Sequence, residues 1–381
     1  MTEKLYYKDA FLGEFEARVL SCTQSGENFE ITLDKTAFFG EGGGQSADTG
    51  TLNDVNVIDV FEKDDNVIHI TKKPMEENAI VLGRVDMNVR LRKMQNHTGE
   101  HMVSGAAYKL FGANNFGFHL GEGFFTCDLD IEFSPEQLKK IEDTVNFWIL
   151  ENHKVYTTFY ESQSAVDVFY RAKVDFDGRV RIVTIDGCDA CACCAPHVSY
   201  TGQVGIVKII DSIRYKGGTR ITAACGMDAL CDYRMLSEQN AVIRNLLSAK
   251  REQATEFVER AVKERDDAKF QAEKYKTLYI TECVKRAVKA GEKTVLIEET
   301  LDAKALTAGL DLFEGSGAVF CTAGNALSFA VCGRQDSIKE LVAQIKQIAG
   351  SGGGGRDGFA QGRISLPYKD AKELFLKYLS C

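Results

Sequence analysis

Residues 87–112 read MNVRLRKMQNHTGEHMVSGAAYKLFG, and here the texture of the chain changes. Leu91, Met94, Met102 and Ala106 recur at helical spacing, and Gly112 is the residue type that closes helices. Upstream, short runs of period two (FEARVLSC, NFEITLD, DVNVIDVFEK, DNVIHITK, AIVLGRVD) are separated by turn signals such as SGEN, KDDN and ADTG. That pattern predicts a small barrel or sandwich over residues 1–89. Downstream, strand-like FFTCDLDIEF precedes SPEQL, where Ser134 is a cap, Pro135 takes the first helical position and Gln137 completes a capping box.

The expectation is therefore a multidomain α+β chain. A β-barrel over 1–89 is followed by an α/β domain over 90–234, a helical linker over 235–290 and a small C-terminal α/β domain over 291–381. In the linker, Leu247, Ala254, Ala261, Ala268 and Tyr275 recur every seven residues, the spacing of a helix–helix seam. The partner seam is poor, with Lys250 and Glu264 beside Phe257 and Leu278. A long helix or helical hairpin is the first expectation and a dimeric coiled coil the second. A homodimer through this linker or the C-terminal domain follows from the latter.

With 381 residues, 44% hydrophobic and 27% charged, the chain has the composition of folded domains. No apolar run approaches a membrane span, and the first twenty residues lack a signal-peptide core, so the expected compartment is the cytosol. There the twelve cysteines read as core thiols or metal ligands rather than disulfides. The net charge of −9 argues against broad attraction to phosphates and leaves room for local basic patches at Arg90–Lys93, at Arg214, Lys216 and Arg220, and at Arg356 with Arg363.

Two motifs carry chemistry. His97 and His101 in HTGEH, and Cys193 and His197 in CCAPH, each have the spacing of one helical turn. Imidazole and thiolate are preferred zinc ligands, so the two pairs together predict one tetrahedral Zn2+ site. Cys194 is an alternative to Cys193, and Cys188-x-x-Cys191 is a competing ligand pair. Thr98 stands where the HExxH of zinc proteases needs glutamate, and Glu100 is one position too late and expected to face elsewhere. A protease is not expected. In TAFFGEGGGQSADTG, Gly43 and Gly44 allow close backbone approach to a ligand, and Gln45 offers a donor and an acceptor; a hairpin turn explains the same glycines. The run GSGGGGRDG lacks the Lys-Ser/Thr of a phosphate loop, which points away from nucleoside triphosphates, although its amides and Arg356 suit nucleic-acid phosphates.

Taken with their order, TAFFGEGGGQSADTG, VDMNVRLRKMQNHTGEH, CCAPHVSYTGQVG with GGTRITAACG, and SGGGGRDGFAQGR resemble the editing half of alanyl-tRNA synthetase and the long free-standing editing proteins of the AlaX family. The family's Cys-Gly-Gly-Thr-His reads Cys193-Cys194-Ala195-Pro196-His197 here. The resemblance covers the whole chain and implies ATP-independent hydrolysis of the ester on tRNA(Ala) mischarged with serine, and with glycine as a further substrate. It implies zinc on His97, His101, Cys193 and His197, with Gln45 and the Gly43–Gly44 amides at the ribose or ester carbonyl. It makes Thr36 the contact to the serine hydroxyl and brings Arg220 and Arg356 to the nucleic acid. Its C-terminal domain is of the type associated with DHH phosphoesterases, yet neither aminoacylation nor DHH chemistry is expected, because neither core has a segment here. The rival readings are a tRNA-binding or assembly protein with a purely structural zinc, and another tRNA ester hydrolase, as the Gly-Gly-Gln of peptide-release factors suggests.

Overall fold

The computed structural model describes residues 1–171, 178–285, 288–290, 293–297, 316–323, 326–332, 335–356 and 358–380. They divide into two compact units, Met1–Ala241 and Val242–Cys381.

In the first unit, strands β1 (Glu3–Lys4) and β4 (Lys35–Thr36) pair in parallel. Strands β2 (Glu14–Ser25), β3 (Asn28–Leu33), β5 (Gly50–Leu52), β6 (Val55–Lys63), β7 (Asn66–Thr71) and β8 (Ile80–Val85) pair antiparallel in the order β2-β3-β7-β6-β5-β8. Strand β8 also pairs with β2, so the ring closes. Alternation places Ala17, Val19, Ile31, Leu33, Val60 and Val81 inside. The expected domain scheme is corrected in one respect: this N-terminal sheet is no separate barrel domain, because it shares one compact unit with everything up to Ala241.

Helix α1 (Met87–Phe111) follows at once. The Asp86 side chain accepts from the amides of Asn88 and Val89, and Gly112 closes the helix in the left-handed region at φ 73°. Helix α2 (Pro135–Glu151) begins with the capping box of Ser134 and Gln137. Around them lie an antiparallel sheet of β9 (Asn115–Leu120), β10 (Phe125–Leu129), β14 (Val207–Tyr215) and β15 (Gly218–Cys225), and a second of β11 (Val155–Tyr160), β12 (Val180–Ile185) and β13 (Asp189–Ala192). All these pairings are antiparallel, so the α/β description of residues 90–234 is corrected to α+β. The core between helices and sheets includes Met94, Met102, Val103, Phe125, Ile141, Val183 and Ile221.

Two glycines let α1 approach its neighbours. A Cβ on Gly99 would fall 2.3 Å from Cys225 Sγ, and one on Gly105 would fall 2.8 Å from Asp189 Cβ. The second approach seats β13, the strand leading into Cys193, against the helix that carries the histidines.

The linker begins earlier than expected and is broken. Helix α3 spans Gly226–Leu247, Ser248 takes φ 53°, a 3-10 turn covers Arg251–Gln253, and α4 spans Ala254–Lys285. The seven-residue repeat therefore crosses a break between Leu247 and Ala254. In the second unit, β16 (Val288–Ala290), β17 (Lys293–Ile297), β18 (Ser316–Ala323), β19 (Ala326–Cys332), β20 (Gly352–Arg356) and β21 (Phe359–Ile364) form one sheet in the order β16-β17-β18-β19-β21-β20. Helices α5 (Gln335–Lys346) and α6 (Tyr368–Ser380) accompany it.

Arg90, fully buried on α1, pairs with Asp48, itself 1% exposed. Its Nε lies 3.0 and 2.9 Å from the two carboxylate oxygens, and its Nη2 donates to Asp48 and to the Ala37 carbonyl. Removing one partner of such a pair strands the other without compensation, which costs about 3–5 kcal/mol. We predict that Arg90→Ala lowers the stability of the first unit by that amount. Urea unfolding of the full chain, followed by fluorescence of Trp148, the single tryptophan, is the check.

Candidate metal centre

Helix α1 presents His97 and His101 one turn apart, and the segment after β13 presents Cys193 and His197. Their ligand atoms all lie within 4.8 Å of one another. Cys193 Sγ is 3.5 Å from His97 Nε2 and 3.4 Å from His197 Nε2. Tetrahedral bonds of about 2.0–2.3 Å put neighbouring donors about 3.3–3.8 Å apart, so these spacings fit one small cation. The helical spacing expected of CCAPH is not realised: residues 193–198 are irregular. Pro196 lacks an N–H and disfavours helical backbone at Ala195, so Cys193 and His197 converge across a loop.

His97 and His197 are held from behind by hydrogen bonds, and His101 has a carboxylate at longer range. His97 Nδ1 lies 2.8 Å from Gln45 Oε1, His197 Nδ1 lies 3.0 Å from Thr98 Oγ1, and His101 Nδ1 faces Asp189 Oδ2 at 3.8 Å. Since Gln45 Oε1 can only accept, the His97 Nδ1–H donates, which leaves Nε2 as the lone-pair nitrogen. Outer partners of this kind fix tautomer and ring orientation in metal sites. Asp189 is anchored in turn by Arg171, at 2.8 and 2.7 Å.

The electrostatics also suit a cation. Burial, then the neighbouring Cys194 and Cys191, push the Cys193 thiol well above its ordinary range. Burial, then His97 and Arg181, push His197 well below its own. The protein alone thus disfavours the charged forms of Cys193 and His197, and a divalent ion would make the thiolate the favoured form. Cys194 does not join the donors. Its Sγ packs on the glycine turn, 3.4 Å from where a Cβ of Gly43 would stand. Among the described residues, this quartet is the one cluster of donors able to hold an ion; Cys188 and Cys191 are buried and form no disulfide.

Beside the quartet opens a cavity of about 1060 Å3 within the first unit. His97, His101 and Cys193 line it, whereas His197 lies behind them. Its walls combine Arg171, Arg179 and Arg181 with Tyr7, Phe118 and Phe159. Arg179 stacks on Phe159 at 4.7 Å and Arg181 on Tyr7 at 5.0 Å.

The remaining residues singled out in the sequence separate into two groups. Gly43 lines the cavity, and Gln45 is fully buried against His97 with its Nε2 unpaired. Gly42 and Gln45 pair across a tight turn, with Gly43 at φ 60° and Gly44 at φ 84°. A side chain on Gly44 would strike the Phe118 ring at 2.7 Å. Thr36 is not brought to the cavity: it is fully buried on β4, bonded to His69 Nε2 at 2.8 Å and accepting from the Phe38 amide at 3.1 Å. Arg220 lies on β15, paired with Asp128 at 2.6 Å and stacked on Tyr215. Arg356 ends β20, and its side chain lies outside the described residues, as does Asp357. The glycine run is an edge strand paired with β21 rather than a loop. Glycine is needed there because a Cβ on Gly353 would meet the Phe329 ring at 2.8 Å.

Sequence reasoning missed Glu100. It is buried and lines the same cavity as His97 and His101, contrary to the expectation that it faces elsewhere. The signal was available, because residues three apart on a helix share a face.

Comparison with known proteins agrees with this geometry. Residues 180–222, which include Cys193 and His197, match the family described as threonyl and alanyl tRNA synthetase second additional domain. Residues 3–89 match the family described as tRNA synthetases class II (A), where no segment of an aminoacylation core was expected from the sequence. The alanine–tRNA ligase of Pyrococcus abyssi is 30% identical over 99% of this chain and 44% of its own length. That of Methanococcus maripaludis is 29% identical over the whole of this chain and 44% of its own. A solved structure, the C-Ala domain from Aquifex aeolicus alanyl-tRNA synthetase, is similar at 21% identity over 25% of this chain and 98% of that one, with a TM-score of 0.21. The chain is thus homologous to part of alanine–tRNA ligase and spans less than half the length of these relatives.

We predict that Cys193→Ala abolishes stoichiometric zinc binding while Cys194→Ala retains it, as metal analysis of the purified proteins will show. Thr98→Val removes the partner of His197, together with the long bond from the Val198 amide at 3.4 Å, and weakens zinc affinity about 10- to 100-fold, measured by chelator competition.

Proposed function

We propose that this chain is an ester hydrolase that removes serine, and glycine as a further substrate, from mischarged tRNA(Ala). The observation that carries the reading is the cavity whose wall contains three of four convergent donors, in a chain homologous to alanine–tRNA ligase along its whole length. His97, His101, Cys193 and His197 hold zinc, which supplies when bound a Lewis acid for the ester carbonyl or an activated water. Gln45 holds His97 through Oε1, and its unpaired Nε2 is a donor poised beside that histidine. Arg171, Arg179 and Arg181 provide positive charge for the terminal phosphates, and Phe159 and Tyr7 provide faces for a base.

The substrate class follows from a discrimination problem. A synthetase pocket sized for alanine rejects the extra hydroxyl of serine only weakly. A hydrolytic site that hydrogen-bonds that hydroxyl rejects alanine strongly, because its polar groups would go unpaired. Arg220 and Arg356 are not needed at the ester in this reading, and any contact they make is with the body of the tRNA.

The test is release of amino acid from Ser-tRNA(Ala) and Ala-tRNA(Ala), with and without chelator. We expect serine to leave at least about a hundredfold faster than alanine, and chelator or His97→Ala to abolish the release. Zinc-loaded protein that binds tRNA(Ala) without releasing serine would instead assign it to the tRNA-binding class with a structural metal.

A further inference from the structure

Glu100 is a charged side chain buried in the wall of the site, and nothing above gives it work to do. It stands between His97 and His101 on α1, 3% exposed, and lines the cavity. One carboxylate oxygen is fixed from behind: Oε1 accepts from Ser104 Oγ at 2.7 Å and from Asn115 Nδ2 at 2.5 Å. Asn115 Nδ2 also lies 2.7 Å from Ser104 Oγ, so the three side chains brace one another. Among the described residues Oε2 has no hydrogen-bond partner. Arg171, the cation of the wall that feels the charge of Glu100, has its Nε and Nη2 committed to the two oxygens of Asp189. A buried carboxylate with one oxygen pinned and the other unpaired calls for a compact cation carrying N–H donors.

Resting on the hydrolase reading, we propose that Glu100 is the receptor for the α-ammonium group of the aminoacyl ester. In such an ester the ammonium nitrogen is two bonds from the carbonyl carbon, so the group that binds it stands within a few ångströms of the reacting centre. Side chains three apart on a helix have Cβ atoms about 5–6 Å apart, so Glu100 and His97 leave α1 as neighbours, and both line the cavity. The deacylated 3′ terminus carries no ammonium, so the carboxylate favours the aminoacylated end over the tRNA product. Serine, glycine and alanine share the ammonium. Glu100 therefore selects for an aminoacyl ester as a class, and discrimination among side chains falls to other groups.

The test compares two esters on the same tRNA(Ala): the seryl ester and its deamino analogue, the 3-hydroxypropanoyl ester, which lacks the ammonium and adds no bulk. Each rate is taken relative to spontaneous hydrolysis. Wild-type protein is expected to prefer the seryl ester, and Glu100→Gln, which keeps both bonds to Oε1, to lower kcat/KM for it about ten- to a hundredfold. The deamino ester is expected to change less than about threefold, with zinc content unchanged. Equal loss for both esters would assign Glu100 to the water chemistry or to the metal, and would overturn the proposal while leaving the hydrolase reading intact. Wild-type protein that releases neither ester would overturn both. Should Glu100→Gln lose its zinc, Asn115→Ala unpins Oε1 without removing the charge; a reduced preference for the seryl ester is then expected, and an unchanged one overturns the proposal.

Discussion

The buried pair of Arg90 and Asp48 fixes the relation on which the site depends. Arg90 precedes His97 by seven residues, two turns of α1, so both project from one face of the helix. Around Arg90 gather three separate pieces of chain: the carbonyl of Ala10 at 3.0 Å, the carbonyl of Ala37 at 2.6 Å, and Asp48. Asp48 also accepts from the Phe39 amide at 2.7 Å, and its own amide donates to the Phe39 carbonyl at 3.0 Å. The stem of the glycine turn is thereby closed and clamped to α1, and two turns along the helix the tip of that turn delivers Gln45 to His97. A buried ion pair adds little net stability over a well-packed apolar substitute. What this one contributes is registration: the N-terminal sheet and the histidine helix meet in one alignment, and it is the alignment that aims His97 Nε2 at Cys193.

How far the sequence disclosed this site depends on the range of the interaction concerned. The histidine helix was legible because helical periodicity, Asp86 and Gly112 are local signals, and HTGEH lies on it without interruption. The turn at Gly43–Gly44 was legible for the same reason. Cys193 against Cys194 was not, because that choice turns on which thiol is directed to α1 and which to the glycine turn, and the chain passes between them without regular structure. The glycine run before Arg356 was read for its amides alone, and its pairing as a strand was not legible because its glycines answer a demand made from elsewhere, the ring of Phe329 beside Gly353. Thr36 shows the converse. Its place before the glycine turn suggested a substrate contact, but the fold uses its hydroxyl for His69 on the neighbouring β7. Burial pushes that imidazole down to about 4, with a smaller opposing influence from the Ile31 carbonyl. His69 is therefore neutral at physiological pH and able to accept from the threonine, a satisfied core pair that no spacing rule could announce.

The donor set has a consequence for chemistry. Four protein ligands ordinarily describe a closed, structural ion, and a catalytic one keeps a position open. Here the quartet is unevenly placed: His97, His101 and Cys193 form part of the cavity wall, and His197 sits behind it, held by Thr98. Among the four donors, His97, His101 and Cys193 adjoin this cavity, so in the proposed reading an ester carbonyl or water would approach a bound ion from their side. Approach from one side also orients the substrate. In the proposed hydrolase reading the carbonyl would point toward the quartet, with the ammonium at Glu100 and the ribose toward Gly43 and the arginines. On the side away from the cavity the donors are held by the polar partners Gln45 on His97 and Thr98 on His197.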